Sequence, residues 1–270
     1  MARSLRIVYP GAYYHVMSRG NEQKEIFKNQ RDREKFLEYL ASASDRYGAV
    51  IQAYCLMSNH YHLLLETPEG NLPQIMRHIN GTYTTYFNLK RKRSGHLFQG
   101  RYKAILVEAD SYAAELSRYI HLNPIRVGLV EKPEDYPWSS YRSYIGQSPA
   151  AEWLKTEFIP SYFGQPRTQA GIRYRKFVEE LQGRGYDSPL RKAIGTAVLG
   201  SADFVGKARA DHLEHREHEK DAPALRQLLS KPSPEKILEE VEKEFGTNKK
   251  LAWQVGMYLC HQCSGKKFRR

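Results

Sequence analysis

Two short stretches of this sequence hold side chains able to do chemistry on a phosphate. In the run Ser58-Asn59-His60-Tyr61-His62-Leu63-Leu64-Leu65-Glu66, two histidines stand two residues apart among strand-forming neighbours. Side chains alternate across a pleated strand, so His60 and His62 share one face while Tyr61, Leu63 and Leu65 share the other. Two imidazoles on one face can meet one divalent ion, and a two-histidine site left open to a phosphate suits Mg²⁺ or Mn²⁺. The spacing alone is unspecific, since two strand histidines with satisfied hydrogen bonds would look the same. The second stretch is Arg118-Tyr119-Ile120-His121-Leu122-Asn123-Pro124. Tyr119 and Asn123 are one helical turn apart and lie on one face, so the amide oxygen of Asn123 can reach an ion while the Tyr119 phenol points at a phosphate held there. With 19 tyrosines in the chain, any one of them is more simply a core or surface residue. Only the two stretches together argue for a nucleophile beside a metal pair.

These stretches need elements that bring them to one place. A strand from Ala12 to Ser18 breaks at Arg19-Gly20-Asn21, and a helix from Asp32 to Arg46, with Phe36, Leu37, Leu40 and Tyr47 at helical spacing, is stopped by Gly48. Val50 to Leu56 and Tyr61 to Glu66 read as a hairpin around Met57-Ser58-Asn59. After Pro68-Glu69-Gly70, the residues Leu72, Ile75, Met76, Ile79, Tyr83, Tyr86 and Phe87 mark a long helix that runs into Lys90-Arg91-Lys92-Arg93. A loop from Gly95 to Gly100, a strand from Lys103 to Glu108 and a helix from Ser111 to Leu122, closed by Pro124, complete the pattern. The order is βαββαβ and then α. It predicts an α+β, ferredoxin-like antiparallel sheet with helices on one face and the tyrosine helix at the active site, followed by an all-α C-terminal region.

The rest of the chain is less regular. Lys132 to Tyr144 reads as a cover strap anchored by Trp138, which ends a first domain at residue 147. Residues 148–231 read as a helical and charged connector, and 232–270 as a partial helix-turn-helix-like region. Cys260 and Cys263 are half a zinc site at most and fit packing roles on a helix better. With 42 Lys and Arg against 30 Asp and Glu, the net charge of +12 makes a polyanion the natural partner. Arg101, Lys103, Arg118 and Arg126 are candidate phosphate clamps, against the plainer reading of solvated cations at a sheet edge. Lys90, Arg91, Lys92 and Arg93 suit a helix C-terminus and also offer a landing site for a DNA backbone. His15 can enter the site from the first strand or be structural, and Tyr102 can stack an unpaired base, whereas Tyr83 and Tyr86 sit at core spacing. Neither a signal peptide nor a membrane span is readable, which predicts a cytoplasmic protein.

Four stretches carry a family resemblance. YHVMSRGNEQKEIF (14–27), the HYH strand (60–62), HLFQGRYKAILVE (96–108) and RYIHLNPIRVGLV (118–130) together resemble the REP-associated tyrosine transposases and their insertion-sequence relatives in the HUH nuclease superfamily, over about residues 5–145. That resemblance implies nicking and rejoining of single-stranded or hairpin DNA through a 5′-phosphotyrosine at Tyr119. His60, His62 and Asn123 would then be the metal ligands. The segments 237–241 and 252–260 are similar to the first part of the helix-turn-helix domain of bacterial replication initiators, with the groove-reading helix missing at the end of the sequence. The rival reading is a non-catalytic hairpin DNA- or RNA-binding protein on the same fold. A relaxase or replication initiator with the same chemistry fits the flanking motifs less well.

Overall fold

The computed structural model describes residues 6–185, 187–194 and 197–212, with positions 241, 255 and 259 beyond them. The chain divides into two compact units, residues 1–224 and 225–270. The helix-turn-helix resemblance, the segment His212–Lys220 beyond its first residue and the pair Cys260/Cys263 lie outside the described residues.

In the first unit the elements run β1 (Ala12–Arg19), α1 (Gln30–Tyr47), β2 (Val50–Leu56), β3 (His60–Thr67), α2 (Leu72–Lys90), β4 (Lys103–Val107) and α3 (Ala109–Arg126). The short helices α4 (Tyr141–Tyr144) and α5 (Phe158–Ser161), then α6 (Arg167–Glu179), the two-residue strand β5 (Val198–Leu199) and α7 (Ala202–His212) follow. Strand order is β2-β3-β1-β4-β5. The first four strands pair antiparallel, and β5 adds in parallel to β4. The four-stranded βαββαβ core is the ferredoxin-like arrangement that the order of elements predicts. Strand β5 carried no signal of its own, because two residues are too few to show a period.

Local chemistry sets the ends of these elements. Asn29 caps α1, its side chain accepting from the Asp32 backbone N–H at 3.0 Å. Gly48 closes α1 at φ 64°, in the left-handed region where a residue without Cβ sits most easily. Helices α1 and α2 cover one sheet face, with Phe36 packed on Tyr61 at a centroid distance of 4.7 Å and Leu40, Ile75, Ile79 and Tyr83 buried around them. On the opposite face, Ala113, Leu116 and Ile120 of α3 cluster with Ala53, Cys55, Leu64 and Val107, and Ile159, Tyr174, Val178 and Leu199 extend the cluster. Each large side chain so buried contributes about 1.5–3 kcal/mol, which makes the position of α3 on the sheet a well-determined one.

The outer edge of β2 is covered by the strap. Leu56 N–H donates to the Trp138 carbonyl at 2.8 Å, Ser140 N–H to Tyr54 at 3.0 Å and Lys155 N–H to Ile51 at 2.9 Å. Trp138 is only half buried, and the strap's deep anchors are Tyr141 and Tyr144. Among the described residues no helix is long and apolar enough to cross a membrane.

Candidate active site

The register of the sheet assembles the site. On β3, His60 and His62 face α3, with ring centroids 5.1 Å apart. Strand pairing sets Arg19 opposite His60 and Met17 opposite His62. His15, two residues before Met17, therefore lies diagonal to His62 on the same face, and its Nε2 is 2.9 Å from His62 Nδ1. From α3 the half-buried ring of Tyr119 meets this group edge-on, 5.7 Å from the His62 centroid and 6.3 Å from that of His15. The exposed Arg126, two turns along α3, holds its guanidinium carbon 4.9 Å from the centre of the Tyr119 ring.

Asn123 lies one turn beyond Tyr119, and its Nδ2 donates to the Tyr119 carbonyl at 2.8 Å. With the amide nitrogen occupied, the carbonyl oxygen is the atom left for a ligand. His60 Nδ1 is 2.7 Å from the Asn59 side-chain oxygen. That oxygen can only accept, so His60 carries its proton on Nδ1 and its lone pair on Nε2. Burial, helped by Arg19, lowers the His60 pKa to about 4. Burial, with His15, His60, Arg126 and Arg19 adding to it, takes His62 well below its ordinary value. Both imidazoles are thus neutral near pH 7, the form that binds metal. Among the described residues no group of three or more His, Cys, Asp or Glu could hold a metal ion. A divalent ion here would rest on two imidazoles, the Asn123 amide and oxygens of the substrate phosphate. The residues fit such an ion: hydrogen bonds to the second ring nitrogen are the usual support of ligating histidines, and both His60 and His62 have one at Nδ1.

The basic candidates divide. Arg126 is at the site, and exposed Lys103 is on the same sheet face, opposite Met17. Arg101 and Lys92 are exposed on the loop between α2 and β4. Arg118 is not brought to the site. Its guanidinium lies 3.9 Å over the Phe177 ring, donates to the Phe177 carbonyl and pairs with Glu115 at 2.5 Å. Lys90 and Arg91 are drawn to the buried carboxylate of Asp32, at 2.7 and 2.5 Å. Arg93 lies over Phe87 and donates to the His96 carbonyl. Sequence reasoning passed over Arg19, whose partner across the sheet is His60. It also left His121 without a role. This fully buried imidazole is bracketed by the Tyr174 hydroxyl at 2.8 Å and Ser140 Oγ at 2.7 Å, which ties α3 to α6 and to the strap.

Residues 8–123 match the family of IS200-like transposases. The matched segment runs from β1 to the end of the tyrosine motif and contains His60, His62, Tyr119 and Asn123, in agreement with the resemblance carried by the motifs. A Haemophilus influenzae protein named as a REP-associated tyrosine transposase is 30% identical over 123 residues, covering 42% of this chain. The chain spans 65% of the length of that relative. Among solved structures, a REP-associated tyrosine transposase bound to a REP hairpin is 17% identical, with a TM-score of 0.47 over 58% of this chain and 96% of the other. A Deinococcus radiodurans protein described as a transposase is 19% identical, with a TM-score of 0.32 over 44% of this chain and 95% of the other.

Proposed function

We propose that this chain nicks and rejoins single-stranded DNA through a covalent bond to Tyr119, with a divalent ion, Mg²⁺ or Mn²⁺, held by His60, His62 and Asn123. The observation that carries the reading is the approach of the Tyr119 ring, from α3, to the histidine face of β3 at 5.7 Å from His62. In the reaction, the Tyr119 oxygen attacks the scissile phosphorus. The bond from phosphorus to the 3′ oxygen breaks, the phenol proton is lost and the 3′ oxygen takes one up. A 5′-phosphotyrosine and a free 3′-hydroxyl result, and attack by a 3′-hydroxyl on the adduct reverses the step on the same or another strand. Keeping the phosphoester on the protein conserves the bond for rejoining, which hydrolysis by water would lose. When bound, the ion polarises the phosphoryl oxygens and offsets the charge that develops there. Arg126, over the Tyr119 ring, and Arg19, opposite His60, add positive charge beside the histidines that favours binding of the phosphate.

The resemblance carried by the motifs directs the choice of substrate to hairpin-forming repetitive DNA, the Haemophilus influenzae relative is named as REP-associated, and the net charge of +12 suits any such polyanion. The test is to incubate hairpin-bearing single-stranded oligonucleotides with the full chain and Mg²⁺ or Mn²⁺ and look for a protein–DNA adduct in a denaturing gel. The adduct is expected with the wild type and absent with Tyr119→Phe. Cleavage that survives this substitution would remove Tyr119 as the nucleophile. Tight, salt-dependent binding with no cleavage of any strand would favour a non-catalytic hairpin-binding protein.

A further inference from the structure

His15 is flanked by apolar residues on both neighbouring strands. Its neighbours across the sheet are Leu64 on β3 and Ile105 on β4, and it is 2% exposed. A buried ring nitrogen in such surroundings costs free energy unless it is hydrogen-bonded. The bond it makes runs from Nε2 to His62 Nδ1 at 2.9 Å, with the two rings stacked at an interplanar angle of 23°. One proton lies between these two nitrogens, and its owner decides what His62 can do. If His15 donates, His62 must carry its own proton on Nε2, and that nitrogen has no lone pair for a ligand. If His15 accepts, His62 is protonated on Nδ1 and Nε2 is free. Free histidine prefers the Nε2–H form, so a fixed acceptor is needed to hold the other one.

We propose that His15 is a positioning residue that accepts from His62 Nδ1–H and so locks His62 in the tautomer and ring orientation that present Nε2 to a divalent ion. Asn59 gives His60 the same treatment through its side-chain oxygen at 2.7 Å, so both members of the pair are aimed by an acceptor behind them. The two acceptors come from different elements. Asn59 is the residue next to His60, whereas His15 arrives from a neighbouring strand and reaches His62 only through the β1–β3 register. The inference rests on the proposed metal site but concerns a different atom, and it can fail by itself.

Two measurements on the full chain test it. Long-range ¹H–¹⁵N spectra of histidine-labelled, metal-free protein report the tautomer of each imidazole. Binding of Mn²⁺ alone is followed by electron paramagnetic resonance. The His62 signal is expected in the Nδ1–H form in the wild type. His15→Gln, whose side-chain oxygen can still accept, is expected to keep that form and to bind Mn²⁺ within about threefold of the wild type. His15→Met, of similar length but without an adequate acceptor, is expected to lose the form and to bind about tenfold or more weakly, the usual consequence of losing a partner behind a ligand. An Nε2–H signal for His62 in the wild type overturns the inference, and does so even if His15→Met fails to fold. Equal Mn²⁺ affinity of wild type and a folded His15→Met protein overturns it too. A His60→Ala/His62→Ala double variant separates the two levels. Wild type binding Mn²⁺ no better than this variant removes the metal site itself, and the role of His15 with it. Wild type binding well above it, with His15→Met unchanged, removes the role of His15 alone.

Discussion

Asp32 offers a quantitative test of what the basic run at the end of α2 does. Its carboxylate is fully buried and accepts from Lys90 Nζ at 2.7 Å, Arg91 Nη2 at 2.5 Å, the Lys28 N–H at 3.0 Å and the Tyr86 hydroxyl at 3.2 Å. Asp32→Asn keeps the size but removes the charge and turns an NH₂ group toward cations. Breaking a buried ion pair by removing one partner costs about 3–5 kcal/mol. The two cations here remain 28% and 22% exposed and regain some hydration, so the lower figure applies. For a unit of this size, about 3 kcal/mol corresponds to a fall of about 6–12 °C in Tm. Burial raises the Asp32 pKa, but the bonds from Lys90 and Lys28 and the charges of Arg91 and Lys90 outweigh it and leave the pKa below the ordinary value. A depressed carboxylate contributes stability that is complete above the ordinary range and lost as pH falls through the folded value. The gap in Tm between wild type and Asp32→Asn is therefore expected to close below about pH 4. Thermal unfolding followed by circular dichroism across pH 3–8 reads both effects. A variant melting within about 1 °C of wild type at pH 7 would refute the account, because it would mean that Lys90 and Arg91 are not held by this carboxylate. The same protein bears on DNA binding. Releasing two cations is expected to leave oligonucleotide affinity undiminished at low salt and to steepen its salt dependence by up to about 0.7 per added phosphate contact.

Two further substitutions probe the tyrosine helix. His121→Leu takes one hydrogen bond from each of the buried Tyr174 and Ser140 hydroxyls, which keep their bonds to Ser117 and Tyr54, and is expected to cost about 1–3 kcal/mol in chemical denaturation; unchanged stability would show that the imidazole does not fasten α3. Arg126→Ala removes the guanidinium over Tyr119 and is expected to slow adduct formation about two- to thirtyfold, the span of a cation–π contact of about 0.5–2 kcal/mol, with a smaller effect on oligonucleotide binding. An Arg126→Ala protein that forms adduct at the wild-type rate would leave Arg126 with no part in the chemistry.

Much of the core was legible because its signals are local. Leu72, Ile75, Met76, Ile79 and Tyr83 repeat at helical spacing, and all are buried in α2. Gly48 ends α1 as a left-handed cap, and the alternation in β3 does put Tyr61 and the two histidines on opposite faces. What was not legible depends on partners distant in sequence. The two residues of β5 become a strand only because Leu106 and Val107 offer them an edge. Lys90 and Arg91 look like a free basic run until α1 and α2 pack side by side and Asp32 meets them. The strap's anchoring tyrosines, Tyr141 and Tyr144, were indistinguishable by type from the exposed ones.

The same distinction explains which parts of the site could be read. His60 with His62, and Tyr119 with Asn123, are each joined by a single period, two for a strand and four for a helix. A sequence contains those periods explicitly. His15 and Arg19 reach the histidines through register, a property of a pair of strands that neither strand states alone. Arg118 fails for a related reason. Adjacent residues on a helix point about 100° apart, so a helix that turns Tyr119 to the histidines sends Arg118 elsewhere, here onto Phe177 of α6. Adjacency in a motif is therefore weak ground for a shared role on a helix. The two residues after Tyr119 bear this out: Ile120 is buried against the sheet and His121 between α6 and the strap. Tyr119 is left as the ring at the rim, carried by a helix fastened on three sides. If Tyr119 is the nucleophile proposed above, being held this way leaves it little orientational freedom to lose at the histidine face, which is the condition under which a weakly nucleophilic phenol gains most from its surroundings.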